Sequence, residues 1–139
     1  MTKSTKINLE NTHVFISGPM TEYPLCNAEA FTRAHALCKL AGVKFAYNPG
    51  QLWLNEPRDM SDKRSHESYM QECLEELTRL KPNKQEPLYD YLIQLDNWKK
   101  SPGASVEAIC AESIGIQCIS EHDIYIPKKY KEILKGKKK

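Results

Sequence analysis

The sequence predicts an α/β domain built on a parallel sheet covered on both faces. Two observations carry this. Short apolar runs alternate along the chain with stretches whose apolar residues recur at helical spacing. Gly, Pro and Asn punctuate the junctions, so the order reads β-α-β-α-β-α-β, a small three-layer arrangement. Strands alternating with helices favour a parallel sheet, because each helical crossover returns the chain to the edge it left. A length of 139 residues corresponds to one domain with one sizeable core.

His13-Val-Phe-Ile-Ser17 reads as a first buried strand. Gly18 to Pro24 is a loop broken at both ends, and Asn27 is a suitable N-cap for the helix that follows. Ala30, Phe31, Ala34, Leu37, Cys38 and Ala41 fall on one face of that helix, and Gly42 ends it. Val43 to Tyr47 is a second strand, stopped by Asn48-Pro49-Gly50. Residues 51–64 read as a loop with a short helical turn near Leu52 and Trp53.

A helix is expected from Ser65 to about Leu80, with Tyr69, Met70, Cys73, Leu74, Leu77 and Leu80 as its apolar stripe. Lys81 to Pro87 is a polar connector, and Leu88 to Leu95 is the next strand. The turn Asp96-Asn-Trp-Lys-Lys100 leads into a helix from about Ala104 to Ile114. Val106, Ile109, Cys110 and Ile114 are spaced for its buried face. Gly115 closes it, and Ile116 to Ile119 is a short strand. Ile124 to Ile126 reads as another extended piece, before Pro127 opens a last helix over residues 128–134.

Composition narrows the function classes. The chain is 40% hydrophobic, and no apolar run approaches the ~20 residues of a membrane span. No apolar stretch backs Met-Thr-Lys-Ser-Thr-Lys at the start, so a signal peptide is not expected and the predicted location is cytoplasmic. Five cysteines, an odd number without C-x-x-C, argue against a disulfide framework or a zinc knuckle. Cys38, Cys73 and Cys110 fall at helical apolar positions and read as small core residues. His13, His35, His66 and His122 show no metal-ligand spacing, so no metal is expected.

The net charge of +2 conceals an asymmetry. Residues 128–139 hold seven lysines and one glutamate, leaving 13 basic against 17 acidic residues over 1–127, a net of −4. The organisation expected is therefore one acidic domain over 1–127 and a basic C-terminal helix and tail over 128–139. A Lys-rich end is usually a solvated one, and a nucleic-acid partner is not expected.

The segment Ser-Pro-Gly-Ala-Ser-Val-Glu, 101–107, is the most informative in the chain. It opens a helix directly after a strand and loop, where open α/β sheets bind ligands. Helix starts offer free N–H groups to anions. Glu107 lies early in that helix, where the dipole favours its ionised form, and an ionised carboxylate can act as a nucleophile. Parallel strands end together, so the loop 17–27 should share a pocket with 96–107. The first loop contributes Ser17, Gly18, Met20, Thr21, Tyr23 and Asn27, and the second Asp96, Asn97, Trp98, Ser101, Gly103 and Glu107. Gly18 and Gly103 would let a ligand approach the backbone. Ser101 and the amides near Gly103 suit a phosphate or hydroxyl, and Tyr23 or Trp98 a planar ring.

Val14-Phe-Ile-Ser-Gly-Pro-Met-Thr21, Asn27, Phe31, Asn48-Pro49, Tyr69-Met70 and Trp98-x-x-Ser101-x-Gly-Ala-x-x-Glu107 resemble a family of small, often phage-encoded or bacterial proteins of unknown function, DUF4406. That family is similar to nucleoside 2-deoxyribosyltransferases and 2'-deoxynucleoside 5'-monophosphate N-glycosidases. The resemblance covers roughly residues 13–119, with 81–87 as an insertion. It implies a flavodoxin-like fold with five parallel strands and cleavage of the N-glycosidic bond of a deoxynucleoside or its monophosphate. It places the nucleophile at Glu107, forming a covalent deoxyribosyl-enzyme. It also implies that Ser101 binds a 5'-phosphate, where transferases carry an acid for the 5'-hydroxyl. Ser17, Gly18 and Thr21 would hold further oxygens.

Relatives carry an Asp after the Tyr-Met pair to position or protonate the base, and here that position is Cys73, beside Glu72. A thiol is a poor general acid for a leaving base. Glu72, Asp96 or Asp90 would then take the role. The alternative is a non-catalytic nucleotide-binding protein, a sensor or sequestering protein of the same fold. No cofactor is expected, and a homodimer or higher homo-oligomer is expected by resemblance.

Overall fold

The computed structural model describes residues 6–20, 27–49 and 66–130, except for the side chains of 66–69. Four strands and three α-helices follow one another: β1 (His13–Ser17), α1 (Ala28–Leu40), β2 (Phe45–Tyr47), α2 (His66–Leu77), β3 (Tyr91–Gln94), α3 (Pro102–Ser113) and β4 (Gln117–Ser120). Short 3-10 turns at Trp98–Lys100 and Glu121–Asp123 follow β3 and β4. All described strand pairs are parallel, in the order β2-β1-β3-β4.

This order places a switch point within the sheet. From β1 the chain steps outward through α1 to β2, then returns past β1 to β3, so the direction reverses between β1 and β3. Ser17 is in register with Gln94, and Gln94 with Ser120. The segments leaving these three residues therefore emerge on one edge, and the β1/β3 boundary is the switch-point crevice of an open α/β sheet.

Alternation along β1 divides the core. Val14 and Ile16 join α1 residues Phe31, Ala34 and Cys38 on one face. Phe15 packs with Cys73 and Leu77 of α2 and with Ala108 and Ala111 of α3 on the other. On that second face, the Phe15 ring stacks on Tyr47 and meets Tyr89 edge-on. Ser17 has the parity of Phe15 and so points toward α2 and α3. Asn48 follows Tyr47, is buried, and lies 3.2 Å through Nδ2 from His35 Nδ1 of α1.

Three expectations change. First, α3 buries a different face. Val106, Ile109 and Ile114 are 45%, 69% and 36% exposed, whereas Ala104, Glu107, Ala108 and Ala111 are buried. The small side chains of Ala108 and Ala111 let the helix lie close against Phe15, Leu92 and Ile116, which a row of branched residues would hold off. Cys110 and Cys118 are accordingly only partly buried. Second, the strand expected over 88–95 shortens to Tyr91–Gln94, because the Leu88 amide donates to the Arg79 carbonyl and Tyr89 turns to Glu76. Third, the described sheet has four strands. Ile124 makes an isolated parallel bridge to Ile7 and Pro127 follows closely, without an N–H to extend a ladder.

Two boundaries have local causes. Gly42 ends the α1 segment at φ +86°, a conformation strained for any residue with a Cβ. The polar connector 81–87 is a short excursion closed by a Leu80–Pro87 bridge and a Lys81–Glu86 ion pair of 3.3 Å. The helical turn expected near Leu52 and Trp53 lies outside the described residues. The chain is helical again over 128–130, and the expected helix beyond that lies outside them.

The orientation of α3 is testable by urea unfolding. Ala111→Leu should cost about 1–3 kcal/mol through overpacking. Ile109→Ala should change stability by less than about 0.5 kcal/mol, as at an exposed position. The reverse ranking would mean that the branched face is the buried one.

Candidate active site

Glu107 stands on the second turn of α3 and is 6% exposed. The Ser17 hydroxyl, at the end of β1, donates to its Oε1 at 2.5 Å. The Cys73 thiol of α2 also hydrogen-bonds the carboxylate. Three elements on one face of the sheet thus converge on one acidic group. The two segments expected to share a pocket do meet, through Ser17 and Glu107.

Burial pushes the Glu107 carboxyl up to about 7, while the hydrogen bonds from Ser17 and then Cys73 pull it down. The group is therefore poised near neutrality: a buried carboxylate held by two neutral donors. Tyr47 of β2 borders the same region. Its hydroxyl is pushed upward by burial first, then by the charges of Cys73, Glu72, Glu76 and Glu107. Glu72, partly buried on α2, therefore stands in the same electrostatic neighbourhood as Glu107. Tyr89 is raised by burial and by its hydrogen bond to Glu76.

Residues 12–120 match the family described as domain of unknown function (DUF4406). The chain belongs to the DUF4406 family. The matched stretch runs from just before β1 to the end of β4, and includes Ser17, Cys73 and Glu107. No curated protein and no solved structure matches the chain.

In this DUF4406 domain the other expected site residues divide by role. Ser101 caps α3: its Oγ accepts from the Ala104 amide at 3.2 Å, with Pro102 as the first helical residue. An accepting hydroxyl keeps its own proton to donate to a ligand. Gly103 is partly buried in the first turn. Gly18 approaches protein, since a Cβ there would lie 2.7 Å from the Leu95 Cβ. This contact locks the loop after β1 to the end of β3 and is what demands glycine. Met20 packs against the α1-side core. Asn27 adopts φ 64° and makes no side-chain cap. Its Nδ2 donates to the Pro19 carbonyl at 2.8 Å, which ties the helix start to the loop. Thr21 and Tyr23 lie outside the described residues.

Asp96 and Trp98 occupy a different part of the edge. With Gln94, Lys99, Lys100 and Ser120 they line a hollow of about 310 Å³, to which Ser17, Cys73 and Glu107 do not contribute. Asp96 is exposed and pairs with His122 Nε2 at 2.8 Å. Trp98 is partly buried against the α2/α3-side core. Asp90 precedes β3 at the opposite end of the sheet, where it accepts from the His13 amide at 2.9 Å, too far away to serve Glu107.

Sequence reading missed the partnership of Cys73 with Glu107, and it missed Tyr47. The signal for Cys73 was its place on the apolar stripe of α2, which faces the same core as α3. Tyr47 carried no such signal, since within β2 it shares the parity of Phe45, which is 43% exposed.

The position of Glu107 carries a pH signature. Between its ordinary value of 4.5 and about 7 the folded state holds a proton that the unfolded state releases. Stability from this group is thus fully present below about 4.5 and is lost as pH rises through about 7. The loss amounts to about 3 kcal/mol. Glu107→Gln should abolish it, so the stability difference between wild type and variant should shift by that amount between pH 4 and 8 in urea unfolding. Ser17→Ala removes a donor to the ionised form and should move the midpoint upward. A difference that is flat with pH would mean an exposed Glu107.

Proposed function

We propose that the protein cleaves the N-glycosidic bond of a 2'-deoxynucleoside 5'-monophosphate through nucleophilic attack by Glu107. The observation that carries this reading is the buried Glu107 carboxylate at the switch-point crevice, held by Ser17 and Cys73. Resemblance to nucleoside 2-deoxyribosyltransferases and deoxynucleotide N-glycosidases supports it. The finer fold reading, a flavodoxin-like three-layer sandwich, belongs to the same proposal.

The chemistry follows from the groups present. An ionised Glu107 attacks C1' as the C1'–N bond breaks, and the base leaves with the bonding pair. The negative carboxylate stabilises the oxocarbenium character that develops at C1', as in retaining glycosidases. Without a 2'-hydroxyl the sugar forms that cation more readily. Water then adds to C1', releases the sugar and regenerates the carboxylate. A second base in place of water makes the same reaction a transfer.

The leaving base needs a proton. Asp90 is at the wrong end of the sheet and Asp96 lines a separate hollow, so the role falls to Glu72, adjacent to Cys73 in sequence. Ser101 is the phosphate group's partner in this scheme. It stands six residues before Glu107, about 9 Å of helix rise, which leaves room for a sugar phosphate between the two. A serine there accepts a dianion that a carboxylate would repel.

Purified protein incubated with each dNMP and deoxynucleoside, with released base read by chromatography, tests this proposal. Wild type should release base from at least one dNMP, Glu107→Gln should release none, and the rate should rise as pH passes through about 7, where the nucleophile ionises. Ser101→Asp should lose preference for the monophosphate over the nucleoside. No release from any substrate by folded wild type would replace this reading with that of a nucleotide-binding protein.

A further inference from the structure

The geometry points to a divalent transition-metal site at the adjoining ends of β3 and β4, built from Asp96, Glu121 and His122 and distinct from the Glu107 centre. One ligand atom from each of the three lies within 4.8 Å of the other two. Asp96 leaves the end of β3, while Glu121 and His122 open the 3-10 turn after β4. A bound ion would clip two neighbouring parallel strands at the edge where the chain exits.

Three features separate this group from an ordinary surface ion pair. Glu121 is 5% exposed, and its carboxylate receives only one long hydrogen bond, 3.3 Å from the Asp96 amide. No side-chain donor among the described residues meets its second oxygen, which leaves that oxygen available to a cation. Next, the donor set mixes one imidazole nitrogen with carboxylate oxygens, a combination suited to zinc-class ions. Asp96 Oδ1 and His122 Nε2 stand 2.8 Å apart, so the two exposed ligands already converge. Last, Ser120 Oγ accepts from the His122 amide at 3.0 Å, and Lys6 Nζ donates to the His122 carbonyl, so the backbone carrying the imidazole is held on both sides.

Cys38 lies near Glu121, but burial first, and the Glu121 charge second, push its thiol up to about 12. Its sulfur is not among the ligand atoms that converge here, so the ligand set is nitrogen and oxygen only. Sequence spacing conceals the site because its ligands come from two strand ends 25 residues apart.

Co²⁺ reports both the binding and the ligand type. Titration of EDTA-treated full-length protein should give one equivalent of bound Co²⁺ with ligand-field absorption and no thiolate charge-transfer band, displaced by Zn²⁺. His122→Ala and Asp96→Asn, both at exposed positions, should weaken binding by at least the roughly 10–100-fold that follows loss of an outer-shell partner. Zn²⁺ should raise the melting temperature of wild type and not of His122→Ala. Absence of stoichiometric binding would overturn the proposal, as would a thiolate band or an affinity unchanged in His122→Ala.

Discussion

Burying an ionisable carboxylate in a core costs several kcal/mol unless polar groups meet it, and this constraint organises the domain around Glu107. Ser17 meets it from β1 and Cys73 from α2. Placing those donors requires β1 beside β3, with α2 and α3 on one face of the sheet and the C-terminal strand ends aligned. The alanine face of α3 serves the same end, since only small side chains let the helix bring Glu107 within 2.5 Å of Ser17. Gly18 acts similarly, admitting Leu95 so that the two segments flanking the crevice stay in contact.

Much of this was legible in the chain, for identifiable reasons. The strand His13–Ser17 and the helix ending at Gly42 are bounded by strong apolar periodicity and a glycine that tolerates positive φ. The convergence of Ser17 with Glu107 followed from topology, because parallel strands present their following loops on one edge. The face of α3 was not legible. Val106, Ile109 and Ile114 form the more hydrophobic stripe, but burial went to the stripe that packs closest. Hydrophobicity and close approach compete there, and a single sequence ranks only the first. The role of Asn27 was also hidden, since a capping residue and a loop clamp use the same side chain.

Cys73 stands where the sequence resemblance leads one to expect an acid. Judged by acidity it is a loss, because a thiol does not protonate a leaving base. Judged by contact it is a partner of Glu107, donating a weak hydrogen bond that favours the ionised carboxylate. Asp96, a sequence candidate for protonating the base, pairs instead with His122 just beyond β4. Two acidic centres on one edge of the sheet thus separate by environment: one buried among neutral donors, the other combined with an imidazole.

The central claim is that Glu107 forms a covalent bond to C1' of a deoxyribose. Intact-protein and peptide mass spectrometry on acid-quenched mixtures of enzyme and dNMP tests it most directly. The account predicts a transient mass increase equal to a deoxyribose 5-phosphate residue, mapped to the peptide bearing Glu107 and absent from Glu107→Gln. Base release with the adduct on another residue, or undiminished release by Glu107→Gln, would contradict it.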